Sequence, residues 1–281
     1  VDSVAAAKRL LVVLRRGAKR RPHGRGYHCQ YGWRFVLLAR PRPYRPEGVE
    51  LSDPIEHDLP FSVGRIRPLR VVVAVVGVAG LAYVAACVTL AIMQRSFLYH
   101  PQPIGSFGVG NSEKLPVSDV DVVYTVQDHP GTRAVIYYGG NAENAASGLP
   151  ALAQAFPDRA LYALHYRGFG GSGGGPTEAA LQADALALFD LVHRAHSDIV
   201  VIGRSLGSGV AIQVAAQRPL ASLVLITPYY SIEELAQHQF PYFPVSWILS
   251  DKYQSWRFAP RITVPTLILT AQRDWVVPHW S

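Results

Sequence analysis

The chain has 281 residues, 49% of them apolar and only 17% charged, which is enough for one large α/β domain with an appendage and too apolar for disorder across most of its length. Two cysteines in unrelated contexts, Cys29 and Cys87, exclude a disulfide framework and a cysteine-based zinc site. The net charge of +7 is unevenly spread: residues 1–70 carry 15 Lys and Arg against 6 Asp and Glu, and residues 71–281 carry 12 against 14, so the chain is a basic head on a nearly neutral body.

Residues 1–70 read as a basic, Pro/Arg-rich, disordered head. They hold seven prolines by Leu69, one short apolar patch at 10–14, and no sustained period of 2 or 3.6. Basic clusters such as 15–21 attract phosphate, so a nucleic-acid or lipid binder acting through the head is one rival reading. The expectation is a solvated tail with no nucleic-acid partner. The chain starts at Val1 and its only methionine is Met93, so the head is alternatively an over-extended reading frame.

Residues 71–93, VVVAVVGVAGLAYVAACVTLAIM, form an uncharged run of 23. As a helix this run reaches about 34 Å, enough for a hydrocarbon core of roughly 30 Å, and a globular core helix seldom lacks a polar face for so long. Arg65, Arg67 and Arg70 flank one end and Arg95 the other. The positive-inside rule then puts the N-terminus in the cytoplasm and residues 94–281 outside it, on a single-pass membrane anchor. Val84-Ala85-Ala86-Cys87 resembles a lipoprotein processing box, in which Cys87 would be lipidated. The apolar run continues six residues past Cys87 and exceeds the usual signal core of roughly 7–15 residues, which favours an uncleaved signal-anchor.

From 94 to 281 the pattern is that of a mostly parallel sheet with helices on both faces. Strands are predicted at 120–126, 133–138, 160–165, 198–202, 220–226 and 265–270, and helices at 143–155, 178–195 and 207–217. Thr177 is positioned as an N-cap. Residues 228–260 break the alternation with nine aromatic residues, read as extra core or a lid over a pocket.

The chemistry concentrates at a strand-to-helix turn, Gly203-Arg204-Ser205-Leu206-Gly207. In this G-x-S-x-G setting the serine occupies a strained position, its oxygen above the sheet, with the following helix dipole and the Leu206 N–H favouring an oxyanion. Ser205 is therefore the expected nucleophile. After the 133–138 strand, Gly139-Gly140-Asn141 can bring a second N–H, from Gly140 or Asn141, to a substrate carbonyl; an ordinary β-to-α turn is the plainer alternative. Asp274, just past the last predicted strand, follows the serine in the order of a Ser-Asp-His triad. Asp251 is a rival acid in the irregular insertion, while Asp184, Asp190 and Asp198 read as solvated helix or strand-entry charges.

With these residues in view the chain resembles the membrane-anchored α/β-hydrolases of the Bem46-like, serine aminopeptidase-type group. The resemblance rests on the apolar anchor, Gln94-Arg95-Ser96-Phe97-Leu98-Tyr99-His100-Pro101, the Tyr-Gly-Gly-Asn-Ala-Glu-Asn loop at 138–144, and Tyr166-Arg167-Gly168-Phe169-Gly170-Gly171-Ser172. Gly-Arg-Ser-Leu-Gly-Ser-Gly at 203–209, Thr227-Pro228-Tyr229-Tyr230-Ser231-Ile232 and 274–278 complete it, over about residues 71–281. It implies an α/β-hydrolase fold, Ser205 as nucleophile, Asp274 as triad acid, and an oxyanion hole from Gly140, Asn141 and Leu206.

Three departures stand out. The segment 128–132 is short, so one early antiparallel strand looks absent or merged. His165 stands where the family usually has aspartate. No helix, strand and histidine-bearing loop follow Asp274 before Ser281, so the triad histidine is expected beyond the sequence and this chain, read as a fragment, is expected to be inactive; His279 and then His165 are the weaker substitutes. The activity implied is serine-dependent hydrolysis of an ester, thioester or amide of a small or lipid-like acyl substrate, with no metal or organic cofactor. A non-catalytic, membrane-anchored binding protein of the same fold is the alternative.

Overall fold

A run of uncharged residues offers a helix no polar stripe, and the chain forms one unbroken helix there, α1 (Pro68–Leu98), which extends beyond the apolar run at both ends. The computed structural model describes residues 68–103 and 110–271. Most of the predicted basic head, with Asp274 and His279, lies outside the described residues. Residues 68–81 fall in a unit separate from the body, which begins at Ala82. From there α1 shows a half-buried stripe of Ala86, Cys87, Leu90, Ala91, Gln94 and Leu98, the helical spacing of one face laid against a partner. Among the described residues Cys87 is a free thiol.

Seven strands follow: β1 (Asn111–Val117), β2 (Val120–Gln127), β3 (Arg133–Tyr138), β4 (Ala160–Leu164), β5 (Asp198–Arg204), β6 (Ser222–Ile226) and β7 (Thr266–Leu269). They form one sheet in the order β1-β2-β4-β3-β5-β6-β7. Pairing is antiparallel from β1 through β2 to β4 and parallel from β4 to β7. The central strands are apolar on both faces because both are covered. Ile136, Tyr138, Ile199 and Val201 point into one core, and Val135, Tyr137, Val200 and Ile202 into the other. The first core is closed by α3 (Glu178–His193) and α4 (Leu206–Ala215), through Leu181, Leu188, Val210 and Val214, and the second by α2 (Leu149–Ala155). Thr177 caps α3, its Oγ1 accepting the Ala180 N–H at 3.1 Å.

The early antiparallel strand that looked absent is present. β1 pairs with β2 from Asn111↔Val126 to Val117↔Val120, across a tight turn in which Ser118 has φ 55°. Its sequence, NSEKLPV, is polar and mostly exposed, with Pro116 near its end. An edge strand solvated on one side needs no apolar alternation, and it tolerates a proline.

Residues 228–260 hold two short helices, α5 (Ile232–Gln239) and α6 (Val245–Ile248). Both sequence readings apply in part. Tyr229 and Tyr253 are core, whereas Tyr242 and Trp247 are 85% and 89% exposed.

Candidate active site

Ser205 is the single residue between the end of β5 and the start of α4, with φ 48° and ψ −117°. A non-glycine residue in that region costs about 1–3 kcal/mol and persists only where its surroundings enforce it. Here the Ser205 N–H donates to the Ile226 carbonyl at 2.9 Å, and its own carbonyl accepts the Ser208 N–H at 2.8 Å and the Ser208 hydroxyl at 2.6 Å. The flanking glycines are required by contact. A β-carbon on Gly203 would meet the Gly207 carbonyl at 2.4 Å, and one on Gly207 would meet the Tyr138 carbonyl at 2.1 Å. The turn is thus clamped between β3 and β6 while Ser205 stays half-exposed. Every residue of α4 is buried, and Leu206 opens it, so the Leu206 N–H has no intrahelical acceptor and sits at the positive end of the helix dipole.

The loop after β3 lies beside this turn. A β-carbon on Gly140 would be 3.6 Å from the Ser205 Cβ and 3.6 Å from the Arg204 carbonyl. Glu143 organises the loop. Its Oε2 accepts the Gly140 N–H at 2.7 Å and faces Arg204 Nη1 at 3.2 Å, and its Oε1 accepts the Tyr137 hydroxyl at 2.7 Å. Burial, reinforced by the Glu143 carboxylate, holds the Tyr137 hydroxyl well above its ordinary range, so it remains a donor. In this arrangement the Gly140 N–H is already engaged. Asn141 ties the loop to the end of α1: its Nδ2 donates to the Leu98 carbonyl at 2.5 Å, and its Oδ1 accepts the His100 N–H at 3.0 Å. The His100 ring nitrogen Nδ1 lies 3.1 Å from the same amide. Sequence reasoning assigned no role to Glu143 or Arg204 and left His100 in a connector. Each sits in a recognisable motif, but its partner here is set by tertiary contact.

The structure places the Gly140 main chain beside Ser205 and Leu206, while the Asn141 side chain is engaged with Leu98 and His100 at the end of α1; Asp274 lies outside the described residues. His165 turns away from Ser205, toward the other side of its strand. Its Nε2 is 2.8 Å from the Thr125 hydroxyl on β2, and burial pushes its pKa down to about 4. Asp251 is committed elsewhere, accepting the Glu178 N–H at the start of α3 at 3.0 Å and pairing with Arg95 at 3.1 Å. The expectation of solvated carboxylates fails for Asp184, which is fully buried and held by Arg167 through three hydrogen bonds of 2.8–3.0 Å. Its position on α3 gave no sign that Arg167, outside that helix, would reach it. Asp190 and Asp198 are part-exposed but paired, with Arg218 and Arg159. Among the described residues no three His, Cys, Asp or Glu side chains gather as a metal site.

A family described as "Serine aminopeptidase, S33" matches residues 150–260. The protein Rv2307c of Mycobacterium tuberculosis is 34% identical over 242 residues, 78% of this chain and 82% of that protein. The protein bem46 of Schizosaccharomyces pombe is 30% identical over 156 residues, about half of each chain. The lysophosphatidylserine lipase ABHD12 of Xenopus tropicalis is 35% identical over 138 residues, covering 42% of this chain and 36% of that one. Among solved structures, the esterase Pf2001 of Pyrococcus furiosus superposes with a TM-score of 0.54 at 18% identity, over 65% of this chain and 80% of that one.

Proposed function

The chain belongs to the Bem46-like α/β-hydrolases, and from that premise we propose that it cleaves an ester, thioester or amide of a lipid-like acyl substrate with Ser205 as nucleophile. The observation that carries this reading is the backbone of Ser205, held at φ 48° on a turn whose two glycines admit no β-carbon. Its hydroxyl attacks the substrate carbonyl. A histidine outside the described residues, oriented by Asp274, takes the Ser205 proton and passes it to the leaving group; water then cleaves the acyl-enzyme by the same route. The Leu206 N–H supplies one oxyanion donor, and the Gly140-Asn141 loop supplies the second. The lipase ABHD12 among the relatives supports an acyl-lipid substrate.

In this proposal residues 1–70 are a solvated basic head, 71–93 a signal-anchor, and 94–281 the hydrolase domain, outside the cytoplasm. The long apolar helix supports membrane attachment: its most apolar 18-residue window has a mean hydropathy of 2.6 and holds no fully buried residue. The test is a fluorophosphonate probe applied to the complete protein in its membrane. Labelling of Ser205 that disappears in Ser205→Ala supports the assignment. Equal labelling of the variant overturns it.

A further inference from the structure

We infer that residues 240–247, together with the flank of α1 beside them, are immersed in the acyl-chain region of the bilayer, so that the hydrolase body is partly sunk in lipid rather than held clear of it on a stalk. This rests on the reading of α1 as a membrane span. The Tyr83 hydroxyl donates to the Tyr242 carbonyl at 2.9 Å, and the Tyr83 ring stacks on Phe243 with centroids 5.8 Å apart. Tyr83 is near the middle of the apolar run, twelve residues before Arg95, or about 18 Å along the helix axis. The body therefore touches α1 deep within the span and not at its end.

The alternative, in which α1 rises until Tyr83 reaches the membrane surface, fails on length. Only residues 71–83 would then cross, and their roughly 20 Å falls short of a hydrocarbon core of roughly 30 Å. Whatever packs on Tyr83 must enter the membrane with it.

The surface of the segment suits that setting. The sequence FPYFPVSW carries no charge; the one ammonium that reaches it among the described residues, Lys252, donates to the Ser246 carbonyl at 2.7 Å and is neutralised by Glu233 at 3.3 Å. Tyr242 and Trp247 are the most exposed aromatic side chains of the described body. On α1 the outward residues Val84, Val88 and Ile92 are 59%, 52% and 77% exposed. Large apolar surface left open on this scale marks an interaction face. Between the two elements lies a cavity of about 170 Å³, walled by Leu90 and Phe97 of α1 and by Phe240 and Ile248 of the 228–260 segment, with Gln94 the one polar side chain. Lipid acyl chains are the occupant whose chemistry matches this face, and they are already required along α1.

The test places a nitrobenzoxadiazole-labelled cysteine at Tyr242, Trp247, Val84 or Ser112, one at a time, in full chain lacking Cys29 and Cys87. The labelled protein is reconstituted in phosphatidylcholine vesicles containing lipids with a nitroxide on the acyl chain. Val84→Cys reports the span itself, and Ser112→Cys, on the exposed edge strand β1, reports water. The expected result is blue-shifted emission at 242 and 247, quenched by acyl-chain nitroxide as strongly as at 84, while iodide quenches only at 112. If 84 is quenched by lipid but 242 and 247 are open to iodide, the inference fails while the span stands. If 84 is itself open to iodide, the span reading fails and takes the inference with it. Shielding of 242 and 247 that is lost on dilution in lipid, without nitroxide quenching, would make a second copy of the chain the occupant and overturn the proposal.

Discussion

The carboxylate of Glu143 accepts the backbone N–H of Gly140 at 2.7 Å, in the loop packed against Ser205. The same side chain accepts the Tyr137 hydroxyl and pairs with Arg204, so it joins β3, the loop and the serine turn. Arg204 is half-exposed, and its ion pair contributes little to stability. The hydrogen bonds to the carboxylate, whose side chain is 11% exposed, matter more. Glu143→Ala should lower the free energy of unfolding by about 1–3 kcal/mol, because the Tyr137 hydroxyl loses its acceptor. Glu143→Gln, which keeps an acceptor for Tyr137, should lose less. Urea midpoints of the two variants decide the order, and equal losses would show that the acceptor is not what counts.

Gly207 has no latitude. An added methyl would sit 2.1 Å from the Tyr138 carbonyl and 2.5 Å from that of Gly139, both main-chain atoms of the strand end. Backbone cannot step aside as a flexible side chain can. Gly207→Ala should cost about 3 kcal/mol or more, at the upper end of overpacking effects. It should also abolish fluorophosphonate labelling even in the fraction that stays folded. A folded Gly207→Ala protein labelled at the wild-type rate would show that the turn has another way to close.

Legibility in the sequence followed the range of the interactions. The turn at Ser205 was readable because its constraints are local: two glycines at fixed offsets, a strand before and a helix after. The central strands were readable because burial on both faces leaves continuous apolar runs such as 199–202. β1 was not, since an exposed edge strand has neither an apolar run nor strict alternation. Glu143, Asp184 and Asp251 were misjudged or passed over for another reason. Each partner is brought by the fold, in the case of Asp251 from α1, 156 residues away in sequence.

Asp184 illustrates the cost of such a partner. Burial raises its carboxyl pKa, and Arg167 opposes that shift. With Asp184 fully buried and Arg167 only 13% exposed, breaking the pair strands a charge away from water. Arg167→Leu should cost about 3–5 kcal/mol at neutral pH. The double variant Arg167→Leu with Asp184→Leu should recover much of that, as measured by thermal melting. A double variant no better than the single one would refute the stranded-charge account.

His165 gives the fold an acid-sensitive point. Burial lowers its pKa from 6.5 to about 4. The unfolded chain therefore takes up a proton near pH 6.5, which the folded chain refuses until about pH 4. The stability associated with neutral His165 is fully present above pH 6.5 and is lost as pH falls toward 4, by roughly 3 kcal/mol. His165→Asn, which offers the Thr125 hydroxyl a neutral partner, should make stability flatter across that window. The comparison is of urea midpoints at pH 7 and pH 4.5. An equal drop in both proteins would place the acid sensitivity elsewhere.

Orientation in the membrane is the remaining expectation with a direct electrostatic basis. Three arginines, Arg65, Arg67 and Arg70, precede the apolar run, and Arg95 alone closely follows it. Arginine on a juxtamembrane flank resists translocation, and the end with more of it stays cytoplasmic. A reporter fused at the C-terminus should then be active if it requires export and silent if it requires the cytoplasm. Replacing Arg65, Arg67 and Arg70 with asparagine leaves Arg95 as the nearest flanking charge and should produce a mixed population, in which part of the reporter signal moves to the cytoplasmic assay. A wild-type fusion active only in the cytoplasm would reverse the orientation. A triple variant identical to wild type would show that something other than flanking charge, such as translocation of the large C-terminal domain, sets it.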